Sequence, residues 1–173
     1  RADREAARAR RIAFDLRDTL FDQGLAAVFG GNTKEAEQIV DRLRDIGADD
    51  LAEKLQAATY TYSSRGPEAV ELLEEAVKRN PASIGLWALL LHAYDDSNDV
   101  QGYAKSQAKL LELPEPNTAE DLLFTGQAHG AVDPTRGLKY VSKSFGLRRS
   151  PVALLLLGRL KSDCSMQTGN LEY

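Results

Sequence analysis

A chain of 173 residues that is 43% hydrophobic is long enough to bury one continuous core and to form one domain. Its 22 basic and 26 acidic residues leave a net charge of −4, which argues against a generally nucleic-acid-binding surface. A single cysteine, Cys164, rules out an internal disulfide framework and fits a reducing compartment.

Residues 1–29 read as one long helix, rich in Ala, Arg and Leu and free of breakers before Gly24. Its first 17 residues hold six Arg (1, 4, 8, 10, 11 and 17) against three acids (3, 5 and 15). That excess could attract anionic lipid or phosphate, but the simpler expectation is a solvated helix that links upstream sequence to the rest of the chain. Ile12, Phe14, Leu16, Leu20 and Phe21 form a broad apolar arc, which predicts packing against more than one neighbour. Gly30-Gly31-Asn32 is a turn, and Asn32 or Thr33 can cap a helix over 33–46 that Gly47 ends. The next helix pair runs from Asp50 to Pro81, broken by Ser63-Ser64-Arg65-Gly66, with Pro67 at the first helical position of its second member.

A third pair covers Ser83 to Pro116, with its turn at Asp95–Asp99. The fourth is degenerate: Thr118 and Glu120-Asp121 start a helix that Gly130 and Asp133-Pro134 end early. Its second helix carries Gly137, Val141 and Ser144 where stronger packers are expected. Gly146 and Pro151 close it, a further helix covers 152–163, and Thr168-Gly169-Asn170 signals another break. No stretch keeps the alternation of a strand. The longest apolar runs, Leu86–Leu91 and Val152–Leu157, are too short to cross a bilayer, so the segment is expected to be soluble. With no initiator Met and no signal-peptide pattern, it reads as a piece of a longer polypeptide, either cytoplasmic or tethered to a membrane through upstream sequence.

The chain repeats itself. Gly24, Ala57, Leu91, Gly126 and Gly158 are 33, 34, 35 and 32 positions apart, close to the period of about 34 that a stacked helix–turn–helix array leaves. Ala57, Tyr60, Ala69, Leu73, Ala76 and Pro81 fall at matching offsets, as do Trp87, Leu90, Leu91 and Tyr94. One extra turn residue later come Ala104, Ala108, Leu111 and Pro116. Small residues (Ala57, Gly126, Gly158; Ala36, Ala69, Ala104) let paired helices approach, and the large ones fill the gaps between pairs. In this pattern the chain resembles the tetratricopeptide repeat (TPR) family. The resemblance implies an all-α fold: a right-handed superhelical stack of antiparallel helix pairs, a TPR-like α-solenoid, preceded by the long N-terminal helix. It divides the chain into a helical extension, 1–16, and an array, 17–173, with repeats at about 17–49, 50–83, 84–117, 118–150 and a truncated 151–173.

A narrower resemblance rests on Thr118-Ala-Glu-Asp-Leu-Leu-Phe-Thr-Gly126, Val132-Asp-Pro-Thr-Arg-Gly-Leu138, Arg148-Arg-Ser-Pro151 and Met166-Gln-Thr-Gly-Asn-Leu171. These segments look like the C-terminal repeat region of planctomycete-type bacterial serine/threonine kinases, which implies a regulatory or scaffolding role within a larger signalling protein. The chain has no kinase lysine motif, HRD loop or DFG, so it cannot itself transfer phosphate.

No other pattern supports catalysis, and no cofactor is indicated. The two histidines, His92 and His129, show no Cys/His ligand spacing; His92 could share a helix face with Asp95 and Asp96, but a metal site needs more ligands, and there is no phosphate-binding glycine loop. The expected function is therefore protein–protein interaction. The TPR resemblance places a peptide-binding groove along the first helices, with Phe21, Leu25, Lys54, Ala58, Tyr62, His92, Asp95, Gln127 and Arg159 as candidate lining residues. Only Lys54 matches the set that clamps a peptide's terminal carboxylate in chaperone-binding relatives, so an apolar or amphipathic protein segment is the expected partner. The groove could instead be filled by the protein's own flanking helices. A free-standing adaptor, or an oligomerisation element dimerising through the N-terminal helix, is the alternative reading.

Overall fold

The computed structural model describes residues 2–168, which carry nine helices and no strand. They are α1 (Ala2–Phe29), α2 (Thr33–Asp45), α3 (Asp49–Tyr62), α4 (Gly66–Arg79), α5 (Ile84–Asp96), α6 (Val100–Glu112), α7 (Ala119–Gly130), α8 (Pro134–Leu147) and α9 (Pro151–Thr168). The expected break at Thr168-Gly169-Asn170 and the segment to Leu171 run beyond the described residues. No described helix is long and apolar enough to cross a membrane.

Local chemistry sets these limits. Asn32, Asp99, Thr118 and Asp133 each accept a hydrogen bond from a first-turn amide of the helix they precede. This satisfies donors that an uncapped helix would leave orphaned. Gly31, Gly47 and Asn98 take left-handed φ of 75°, 71° and 56°, and the amide after each reaches back five residues, to Ala27, Leu43 and Tyr94 respectively. That closure turns the chain sharply enough to start the next helix antiparallel.

The chain divides between Ser63 and Ser64 into two compact units. In the first, α1 packs on α2 and α3, and α2 packs on α3. The core holds Leu20, Phe21, Leu25, Ile39, Leu43 and Leu55. Gly24 is the point of close approach, because a Cβ there would fall 2.2 Å from a Leu55 methyl. Arg17 fastens α1 to α3 through both oxygens of Asp50, at 2.9 and 3.2 Å. The predicted apolar arc on α1 is divided. Leu20 and Phe21 are buried, whereas Ile12 and Leu16 are 58% and 44% exposed. The cause is length, since α1 has 28 residues and its partners 13 and 14, so its N-terminal half outruns them. The Phe14 side chain lies outside the described residues.

In the second unit α5 packs on α4, α6 and α7, and α7 and α8 both pack on α9. Helix α5 is buried on nearly every side, from Ile84 through Leu91. Ala57, Ala69, Leu73 and Ala76 are buried as the repeat pattern predicts.

The register of α6 differs from that prediction. Ala104 and Ala108 are exposed and Leu111 is 69% exposed, while Gly102, Ser106 and Leu110 turn inward. The extra turn residue is not there: Asn98 and Asp99 cap the helix early, and the Tyr94 ring lies where a Gly102 Cβ would be, at 2.4 Å.

The α7–α8 pair also differs from expectation. Gly137 marks a backbone-to-backbone approach of the two helices, with an added Cβ 2.6 Å from the Gly130 Cα and 2.8 Å from the Gly126 carbonyl oxygen. Ser144 donates to the Ala119 carbonyl at 2.7 Å, and Arg148 pairs with Glu120 at 2.8 Å. What reads as weak packing in the sequence is the condition for tight packing, since small residues let two backbones touch.

Candidate functional site

The nine candidate groove residues separate by burial. Phe21, Leu25 and Ala58 have no exposed surface. They are core residues, and the side chains that cover them leave nothing for a ligand to touch. Lys54 and Tyr62 on α3 are partly exposed, eight residues apart on one helical face. The Tyr62 ring leans on Phe29 with centroids 5.0 Å apart, which fixes its place at the end of α3.

The second unit brings four candidates together. His92 on α5 hydrogen-bonds to the backbone of Gln127 on α7, and both Asp95 and Arg159 act on its charge. Successive first helices thus align a stripe across α5, α7 and α9. Asp95 and Arg159 are exposed, and Leu155, one turn before Arg159, is 59% exposed. Gln127 is almost wholly buried, and its Oε1 has no hydrogen-bond partner among the described residues. Its side chain therefore belongs to the interior beneath the stripe and offers no surface to a ligand. The sequence places these residues at equivalent repeat positions, but the link from His92 to the Gln127 backbone depends on helix offset, which no spacing reveals.

Burial lowers the His92 pKa below the usual histidine range; the Gln127 hydrogen bond and Asp95 oppose that shift, and Arg159 adds to it. His129 is lowered by burial first and by Arg136 second, and its ring stacks on Tyr140 with centroids 5.4 Å apart. Both rings are held neutral at pH 7. An unfolded chain protonates its histidines near pH 6.5, so below that pH the unfolded state binds more protons than the folded one. The stability held by the neutral rings is present in full above about pH 6.5 and falls as pH drops through the lowered folded values. The melting temperature should therefore decline between about pH 7 and pH 5. A His92→Gln, His129→Gln variant should show a flatter decline, and an unchanged slope would assign the loss to carboxylates.

The buried imidazole ties α5 to α7, and the exposed Asp95 and Arg159 are the groups that could meet a polypeptide by hydrogen bonds and charge. These groups offer no activated nucleophile. Among the described residues no three His, Cys, Asp or Glu side chains gather where they could hold a metal ion. Cys164 is partly buried, 3.9 Å from the Thr135 hydroxyl.

No family model matches the chain, and no curated protein matches it either. Among solved structures it is similar to a tetratricopeptide repeat protein from Parabacteroides merdae ATCC 43184, with a TM-score of 0.54 and 17% identity. The match covers 84% of this chain and 57% of that one, so this chain spans little more than half the length of the protein it resembles. At that identity the likeness is one of fold: the chain has a TPR-like helical repeat architecture.

Proposed function

We propose that this chain is a protein-interaction module that recruits a partner segment along the first helices of its second unit. The observation that supports it is the convergence of His92, Asp95, Gln127 and Arg159 from three helices, beside the exposed Leu155. In a fold of this kind each repeat contacts only its neighbouring repeats, which suits display of an extended surface more than assembly of a reaction centre. A bound segment would bury apolar area on Leu155 and direct its polar groups to Asp95 and Arg159. Lys54 and Tyr62 would serve in the same way on the first unit. Stable recognition by such a surface commonly needs about 1,200 Å² or more of buried area.

Asp95→Arg and Arg159→Glu change exposed charges, so they should reduce retention of a partner protein by the immobilised chain without changing its melting temperature. Equal retention by both variants would remove the groove. Light scattering on the same proteins tests the rival reading. Self-association that Ile12→Asp abolishes would put oligomerisation through α1 in place of recruitment. We also infer that the parent is a bacterial serine/threonine kinase with this chain as its scaffolding region. That inference is supported by the sequence resemblance of residues 118–126, 132–138, 148–151 and 166–171 alone, and co-purification of kinase activity with the full-length protein tests it.

A further inference from the structure

The second unit contains a cleft that the groove does not use. It lies between α6 on one side and α7 and α8 on the other, in two adjoining chambers of about 240 and 100 Å³. Leu91, Leu110 and Ala128 floor the larger chamber, and Leu111 and Val132 stand at its rim, 69% and 72% exposed. The smaller chamber runs beside the Leu113–Pro116 connector to Thr125 and Tyr140. The connector explains the opening. Leu113 leaves α6 with ψ of 149°, and Pro114 and Pro116 hold the chain extended until α7 begins at Ala119.

Three charged side chains line the chambers: Glu115, Asp133 and Arg136. Glu115 accepts a hydrogen bond from the Tyr140 hydroxyl at 3.1 Å and lies 3.5 Å from Lys143. Asp133 is the α8 cap and accepts from the Arg136 amide at 3.1 Å. The Arg136 guanidinium lines both chambers and makes no hydrogen bond or ion pair among the described residues. A second group also lacks a partner. Thr125 is 1% exposed on the wall of the smaller chamber, and its hydroxyl has no hydrogen-bond partner among the described residues. Size sets the scale of the occupant, since an apolar cavity of about 150 Å³ accommodates benzene.

We propose that this cleft binds a small apolar carboxylate, its ring seated over Leu110 and Ala128 and its carboxylate held by Arg136. Leu111 and Val132, which have no packing role at the surface, close over the ring from either side. The site is separate from the stripe of His92 and Gln127 and stands whether or not that stripe binds protein.

The test is a titration of isotope-labelled protein with phenylacetate and with its neutral analogue phenylacetamide, followed by amide NMR shifts. Shifts confined to residues 107–113 and 125–137, with the acid bound more tightly than the amide, are expected. Arg136→Gln alters an exposed side chain and should leave the rest of the spectrum intact. It should weaken phenylacetate roughly tenfold, the scale of a charge-assisted hydrogen bond, and leave phenylacetamide unchanged. Leu111→Ser should weaken both. No shifts at millimolar ligand, shifts centred elsewhere, or an equal effect of Arg136→Gln on acid and amide would overturn the proposal.

Discussion

Gly137→Ala should lower the stability of the second unit by about 3 kcal/mol or more, although alanine is the better helix former. The new methyl would meet the Gly130 Cα at 2.6 Å and the Gly126 carbonyl oxygen at 2.8 Å. Both are backbone atoms, so no rotamer change relieves the clash, and α8 must move away from α7. Separation would also strain the contacts on either side, the Ser144 bond to Ala119 and the Arg148 pair with Glu120. For a unit of this size the melting temperature should fall by roughly 10–20 °C. Gly158→Ala is the matched control. Contrary to the close-approach role that the repeat pattern predicts for Gly158, it is exposed and nothing lies within 4 Å of its missing Cβ, so the same change should stabilise by roughly 0.5–1 kcal/mol. If the two variants melt alike, the α7–α8 approach is wrong.

Phe21→Ala should cost about 3–5 kcal/mol, the range for deleting a fully buried aromatic ring. Phe21 has no exposed surface and sits among the apolar side chains of three helices, the whole core of the first unit. So small a core has little with which to absorb a cavity, and amide exchange over residues 17–62 should accelerate together. Lys54→Glu, at a partly exposed position two turns along α3 from Tyr62, should leave that exchange unchanged. The opposite pattern would return Phe21 to the groove: little loss of stability with a clear loss of partner binding.

The helices were legible in the repeat pattern, and several of them carry a local signal as well. Asn32, Asp99, Thr118 and Asp133 are capping residues that need no tertiary partner, and Gly31 and Gly47 are the residue type that takes positive φ without strain. The candidate site residues do not share one environment. Equivalent repeat positions named Phe21, Leu25 and Ala58 alongside His92, Asp95, Gln127 and Arg159, although the first three are core and the last four converge. Position within a repeat gives the direction of a side chain, and burial depends on which neighbouring helix stands in that direction. Ala104 shows the same limit, since shifting the start of α6 by a residue or two turned it to solvent and turned Gly102 and Ser106 in.

Residue order alone was enough to specify an all-α chain with a period near 34, its turns and most of its small-residue contacts. Those features arise from short-range forces: hydrogen bonds within a helix, capping within a turn, and the conformational freedom of glycine. Packing in three dimensions was needed to make Gly137 a point of contact where its residue type suggested a weak packer. The same holds for α1 outrunning its partners, for His92 meeting the backbone of Gln127, and for the proline-held connector that opens a cleft beside α6. Each of these depends on distances between helices far apart in sequence. Such distances are set by the packing of whole side-chain surfaces, which no local pattern encodes.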